Sequence, residues 1–200
     1  MTVHRVLQAN LNHSAAAQDM LCQHAAEWSI DLVVAAEPCS VPPNKTIWAG
    51  DESGSVVIMS SGRPGSLPFA PVARGRGFVA AMWGEVLVVG VYASPNRGCA
   101  NLERVLDGVG HVVRRFLPRP VLVAGDPNAK SHAWGSLVTD TRGTTLEEWA
   151  EELDLAILNQ GRVLTCVRGS GGSIIDVTFG CPRVTRMVSV WRVVDYGDNV

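Results

Sequence analysis

Lysine is scarce in this 200-residue chain: of 17 basic residues only Lys45 and Lys130 are lysine, and the rest are arginine. Cysteine is present but unpatterned. Cys22, Cys39, Cys99, Cys166 and Cys181 are odd in number, far apart and form no C-x-x-C pair. That argues against a zinc site or a disulfide framework and for reduced thiols. No apolar run reaches the ~20 residues of a membrane span, and "MTVHRVLQANLN" lacks the basic segment and long apolar stretch of a signal peptide. No membrane partner is expected, and the chain reads as intracellular or as a piece of a longer protein. An excess of one charge is also missing. The net charge of −2 neither favours nor excludes a polyanionic partner.

What is present describes a chain able to bury a sizeable core, with 46% hydrophobic and 18% charged residues. No repeat, low-complexity tail or composition shift divides it, so residues 1–200 are expected to form one domain. The arginine excess suits bidentate phosphate contact, though codon bias gives the same ratio. Acidic residues crowd into "EEWAEE" (147–152), so a basic face can coexist with overall neutrality.

One design recurs along the chain: a short apolar strand, then a polar residue at its end. "RVLQAN" ends on Asn10, "DLVVAAE" on Glu37, "EVLVVGVY" on Tyr92 and "VLVAGD" on Asp126, while "SIIDVTF" carries Asp176. "SVVIMS" and "VTRMVSVWRVV" read as further strands from their β-branched content. Three segments show helical spacing instead. After Asn12 and Ser14, either of which can cap, Ala17, Met20, Leu21, Ala25 and Trp28 share a face. After Asn101 the stripe is Leu102, Val105, Leu106, Val109, Val113 and Phe116. After Gly143, Thr144 and Glu147 fit a capping box ahead of Leu146, Trp149, Ala150 and Leu153. Strands outnumber helices, which predicts an α/β chain with a mixed sheet or pair of sheets covered by helices. "SSGRPGSLPFAPVARGRGF" reads as a loop or broken hairpin, because Pro64, Pro68 and Pro71 exclude a central strand.

If the strand ends converge, Asn10, Glu37, Tyr92, Asp126, Asn128 and Asp176 share one cleft. Carboxylates, carboxamides and a phenol form an oxygen-rich set that suits a hard cation such as Mg²⁺, or Mn²⁺, better than zinc. Such a cation with a carboxylate left to handle water is equipment for phosphoester hydrolysis. Each member also has a local explanation. Asn10 can cap a helix, Glu37 can be an exposed strand-end charge, Tyr92 a core aromatic, and Asp126-Pro127-Asn128 an ordinary turn. Asp176, between Ile175 and Val177, is hardest to dismiss, because a buried carboxylate needs a partner.

"QANLNHS", "AAEP", "YASPN", "GDPNAKSHAWGS" and "SIIDVTF", in this order, resemble the endonuclease/exonuclease/phosphatase superfamily. The likeness is nearest to the apurinic-type endonuclease domain of non-LTR retrotransposon polyproteins, particularly the insect group that inserts into ribosomal DNA. It implies a four-layered sandwich, two mixed β-sheets packed face to face and flanked by helices. It also implies Glu37 as a metal ligand with Asn10 beside it at the metal or phosphate, and Asp126 as the group that orients and deprotonates the attacking water. Asn128 holds that water or the phosphate, Tyr92 donates to a phosphate oxygen, and Ser173 and Asp176 match an S-x-x-D whose aspartate orients a catalytic histidine. Two departures stand out. Pro127 occupies a position where the family often has an aromatic. The family's closing Ser-Asp-His triplet has no counterpart, and the segment carrying it is expected beyond Val200. His132 is a weaker substitute, since a surface-loop histidine is its default reading.

The resemblance further implies DNA contacts around the cleft. "CVRGSGG" matches a hairpin that reaches the minor groove, with Arg168 entering it, although an ordinary glycine-rich turn fits the same residues. Asn96, Arg97, Lys130 and Ser173 are the other candidate DNA contacts, with Arg74 and Arg76 weaker ones. The expected function is a Mg²⁺-dependent endonuclease that nicks double-stranded, ribosomal DNA in the nucleus, leaving a 3′-hydroxyl that primes a reverse transcriptase of the same polyprotein. The alternatives are a superfamily phosphoesterase acting on a non-DNA phosphate ester and a catalytically inactive DNA-binding module.

Overall fold

The computed structural model describes residues 3–42, 46–168 and 171–194. Short β-branched runs dominate the first third. Strands β1 (Val6–Asn10), β2 (Leu32–Ala36), β3 (Trp48–Gly50) and β4 (Val56–Ser60) form one sheet in the order β1-β2-β4-β3, with helix α1 (Ala15–Glu27) between the first two. Next come β5 (Phe69–Gly75), β6 (Phe78–Trp83), β7 (Val86–Tyr92), α2 (Cys99–Phe116), β8 (Val121–Asp126), α3 (Thr141–Glu152) and β9 (Ala156–Ile157). The chain continues through a separate hairpin, β10 (Cys166–Arg168) with β11 (Gly171–Ser173), then β12 (Val177–Gly180) and α4 (Pro182–Met187). The second sheet runs β5-β6-β7-β8-β12-β9.

Each sheet contains one parallel pair, β1 with β2 and β7 with β8; the other pairings are antiparallel. Parallel neighbours finish side by side. Asn10 therefore lies opposite Ala36, next to Glu37, and Tyr92 lies opposite Asp126.

The two sheets bury a common core in which Leu32, Val34, Val56 and Ile58 join Val79, Ala81, Leu87 and Val89. They approach closely at Gly90, where a Cβ would stand 3.1 Å from Val56 and 3.2 Å from Val34. On the far side of the first sheet, Val33, Ala35 and Val57 pack with Leu21 and Ala25 of α1. Against the second sheet lie Leu102, Leu106, Val109 and Val113 of α2 with Leu146 and Trp149 of α3; the Trp149 indole N–H donates to the Leu106 carbonyl at 2.9 Å. The result is the four-layered α/β sandwich, helix outside sheet on both faces. Among the described residues no helix is long and apolar enough to cross a membrane.

Asp51 ties the sheets together near one end. Its buried carboxylate accepts from the Ser55 and Val56 amides beside it and from the Gly77 amide in the β5–β6 turn at 2.8 Å. Burial pushes its pKa up, but the Ser53 hydroxyl and the Gly77, Val56 and Ser55 amides outweigh that and hold it below the ordinary value.

Five readings of the sequence need correction. Met20 is 53% exposed, on the solvent side of α1, because the buried contacts of that helix are made by Leu21 and Ala25. Helix α2 starts at Cys99, ahead of Asn101, and α3 is capped by Asp140, whose side chain accepts from the Gly143 amide; Thr144 is already inside the helix. "VTRMVSVWRVV" is no strand: Pro182 at a helix start turns Val184–Met187 into the end of α4, and 188–194 has no regular structure. "SIIDVTF" is not one strand: Ser173 ends β11 and β12 starts at Val177, which leaves Asp176 on the approach to β12. The proline-rich stretch is a broken hairpin: β5 is an edge strand whose register shifts between Pro71 and Ala73.

Ile58 is fully buried between the sheets. Ile58→Ala should lower the free energy of unfolding by about 2–5 kcal/mol, and Met20→Ala should stay within about 0.5 kcal/mol, both read from urea denaturation midpoints.

Candidate active site

The strand ends do converge. Asn10, closing β1, spans two elements: its Oδ1 accepts from the Asn12 amide at 2.9 Å and its Nδ2 donates to Asp126 Oδ2 at 2.8 Å. Asp126, closing β8, is 1% exposed, and its Oδ1 accepts from the Asn128 amide at 2.9 Å. The side chain of Asn128 donates to the Ala93 carbonyl at 3.3 Å. Across the gap Tyr92, closing β7, donates its hydroxyl to Glu37 Oε1 at 2.5 Å. Asp176 is half-buried, with Gln8 Nε2 3.5 Å from its Oδ1 and the Thr165 hydroxyl accepting its amide.

Backbone conformation marks the same place. Asn12, His13, Glu37 and Asn128 all have positive φ, between 46° and 57°, which non-glycine residues adopt at a cost. The turn is held by its neighbours, since the His13 amide donates to the Glu37 carbonyl at 2.8 Å and the Leu11 amide to the Ala36 carbonyl at 2.9 Å.

The electrostatics are dominated by crowded carboxylates. Burial, and then the charge of Asp176, push the pKa of Asp126 up to about 7 against the opposing bonds from Asn10 and Asn128; Glu37 adds a smaller push. Asp176 is likewise raised, chiefly by burial, with Thr165 and Gln8 resisting. Burial and the hydrogen bond to Glu37 raise Tyr92 well above the ordinary phenol value, which keeps it a proton donor at neutral pH. Among the described residues no three acidic, histidine or cysteine side chains already close around a point as a metal cage. The donor chemistry nevertheless fits a hard divalent cation: the polar groups are carboxylate, carboxamide and phenol oxygens, and the crowded negative charge lacks an ion-paired lysine or arginine among the described residues.

Two groups escaped sequence reasoning. His13 Nε2 lies 3.7 Å from Glu37 Oε1 and its Nδ1 3.2 Å from the Pro38 carbonyl; no local signal distinguishes it from an exposed turn residue. Arg142 of α3 spends its guanidinium on four backbone carbonyls around Tyr92 and Asp126, those of Asn128, Arg97, Ala93 and Pro127. Its signal was the stretch Asp140-Thr-Arg-Gly143, masked by the apparent capping box two residues on. Glu147, read as that box's carboxylate, instead accepts the hydroxyl of Ser131.

Within "AKSHAWGS", Trp134 and Ser136 are scaffolding. The Trp134 indole N–H and the Ser136 hydroxyl both donate to the Ile174 carbonyl, at 3.2 and 2.8 Å, which fixes the approach to Asp176 from the loop after Asp126. His132 Nδ1 lies 3.1 Å from the Ser136 carbonyl.

The candidate DNA contacts fall on the loop after β7, the loop after β8 and the β10–β11 hairpin. Asn96 and Arg97 are exposed on the loop after β7. Lys130 is half-buried, with its backbone paired to Asp140. Ser173 closes the β10–β11 hairpin opposite Cys166. Arg168 ends β10, but its side chain and residues 169–170 lie outside the described residues, as do residues 195–200.

The sequence profile described as endonuclease-reverse transcriptase matches residues 86–197, more than half of the chain. The chain belongs to the endonuclease-reverse transcriptase family. Its fold is similar to the endonuclease domain of TRAS1, a telomere-specific non-LTR retrotransposon, with 28% identity, a TM-score of 0.83, and 95% of this chain and 90% of that one covered. An AP endonuclease from Archaeoglobus fulgidus shares the fold at 13% identity and TM-score 0.72, over 92% of this chain and 89% of that one. A 3′ phosphatase from Neisseria, solved with a product DNA hairpin, does so at 16% and 0.65, over the same shares. No curated protein sequence matches the chain. As a member of the endonuclease-reverse transcriptase family the chain is a nuclease, a phosphodiester hydrolase, and the four layers are those of the endonuclease/exonuclease/phosphatase fold.

Because the Asp126 pKa is raised from 3.8 to about 7, its contribution to stability is fully present below the unfolded value and is lost as pH rises through about 7. In metal-free buffer, Asp126→Asn should therefore gain stability over the parent at pH 8, on the order of 4 kcal/mol, with most of the gain gone near pH 4. Thermal unfolding across pH checks this.

Proposed function

We propose that the chain is a divalent-metal-dependent DNA endonuclease that nicks one strand of a chromosomal target and leaves a 3′-hydroxyl, from which a reverse transcriptase of the same polyprotein copies the element's RNA. The observation that carries this reading is Asp126, a buried carboxylate with a pKa near 7 at the junction of two sheets, held by Asn10 on one side and its own turn on the other. A base poised near the working pH is what proton removal from water needs.

The roles follow from the contacts. Asn10 and the Asn128 amide each occupy one lone pair of Asp126, which aims the remaining ones toward a water in the cleft. Tyr92, protonated at neutral pH, is placed to give its hydroxyl to a non-bridging phosphate oxygen once Glu37 is otherwise engaged. Glu37, with Asn10 beside it, would hold the cation. Mg²⁺ or Mn²⁺ bound there supplies neutralisation of the phosphate's developing charge. Asp176, steadied by Gln8 and Thr165, serves the leaving side of the cleft by orienting a protonated partner. Asn96, Arg97, Lys130, Arg168 and Ser173 bind DNA around this centre, and the arginines suit phosphate.

The likeness to the telomere-specific TRAS1 endonuclease domain supports a repeated chromosomal target. The motif resemblance to the ribosomal-DNA group makes ribosomal DNA our choice of target and the nucleus the site of action.

The test is nicking of supercoiled plasmid and of ribosomal-DNA and telomeric-repeat duplexes in Mg²⁺. Nicks should appear in the ribosomal duplex at a preferred position, be extended by a polymerase without end repair, and vanish with chelator. Asp126→Ala should cost about 10³-fold in rate. Equal nicking by Asp126→Ala overturns the mechanism; preference for the telomeric duplex overturns the target. Turnover of a soluble phosphate ester with no action on DNA, or metal-independent binding without cleavage, replaces the reading with another.

A further inference from the structure

Arg142 has no carboxylate within ion-pair distance among the described residues. Its guanidinium instead donates to backbone carbonyls, two on each of two loops. Nε reaches the Asn128 carbonyl at 2.8 Å and one Nη the Pro127 carbonyl at 2.6 Å, both in the turn after β8. The same Nη reaches Ala93 at 2.9 Å and the other Nη reaches Arg97 at 3.0 Å, both in the loop after β7. The first loop carries the proposed water-handling groups, and the second carries Asn96 and Arg97, the proposed phosphate contacts.

The base of this clamp is itself fixed. Asp140 Oδ1 accepts from the Gly143 amide at 2.7 Å and the Lys130 amide at 3.2 Å, and the Asp140 amide donates to the Lys130 carbonyl at 3.0 Å. Gly143 is required by proximity, since a Cβ there would stand 1.8 Å from that carbonyl. Behind it, Leu146, Trp149 and Ala150 root α3 in the core.

We infer that Arg142 is a positioning residue that sets the distance between the phosphate-binding loop and the water-activating turn, so that a phosphate held at Arg97 arrives in line with the water held at Asp126. The inference rests on the endonuclease reading of the same site. A planar fork with donors on three nitrogens is suited to bridging separated carbonyls, and a lysine ammonium, a point donor, is not. Misplacing reacting groups by about 1 Å costs about 10²-fold in rate without requiring loss of binding.

The experiment compares the parent chain with Arg142→Lys, Arg142→Met, Arg142→Ala and Asp126→Ala. Nicking kinetics in Mg²⁺ are measured alongside thermal unfolding and amide hydrogen exchange of 93–97 and 126–130 without DNA or metal. Arg142→Met is expected to lower kcat about 10²-fold with KM within about threefold. Arg142→Lys should recover less than a tenth of the parent kcat, and millimolar guanidinium should restore part of the rate to Arg142→Ala but none to Asp126→Ala. Both loops should exchange faster together. The inference is overturned if the loss of rate matches a loss of folded protein, if kcat is unchanged, or if only one loop loosens. Should the parent itself fail to nick, the endonuclease reading falls, and hydrogen exchange decides the clamp alone: joint loosening upholds it and unchanged protection removes it.

Discussion

Asp126 is the group around which the rest of this protein is arranged. A carboxylate 1% exposed, facing a second carboxylate, is held in an environment that resists its charge. It persists there because elements from both sheets converge on it: the carboxamide of Asn10 from β1, its own turn from β8, and the crossed loop from β7. The parallel pairings β1–β2 and β7–β8 are what make this convergence possible, because they end neighbouring strands on one rim.

Asp51 provides the internal contrast. It too is buried, but backbone amides and a serine hydroxyl surround it, and its pKa falls where that of Asp126 rises. Both sit at strand ends. What separates the two carboxylates is whether the donors around each suffice to hold its charge without outside help. In Asp51 they do, and it joins two sheets; in Asp126 they do not, and its pKa rises.

The sequence disclosed the strand ends well, because apolar runs closed by Asn10, Tyr92 and Asp126 are local patterns and the sheets honour them. It disclosed less about what supports them. Met20 lay on the predicted helical face and is exposed, since a stripe of alanines left the period of α1 poorly defined. The start of α3 was misread because Thr144 and Glu147 satisfy a local capping pattern, while the real cap, Asp140, is selected by its bonds to Lys130. Glu147 instead pairs with Ser131, 16 positions back. His13 and Arg142 act through contacts with residues distant in sequence, which no spacing rule encodes. "AKSHAWGS" is distinctive as a string, and two of its side chains, Trp134 and Ser136, grip the Ile174 carbonyl.

Arg142 recognises only carbonyl oxygens, and every residue has one. The clamp is thus blind to the side chains of the loops it holds. Pro127, the departure from the family's usual aromatic, supplies its carbonyl as any residue would. Ser94, Pro95 and Asn96 lie within the clamped loop and face outward or partly so. A lineage carrying this fold can therefore rewrite the side chains of both loops while inheriting their spacing unchanged.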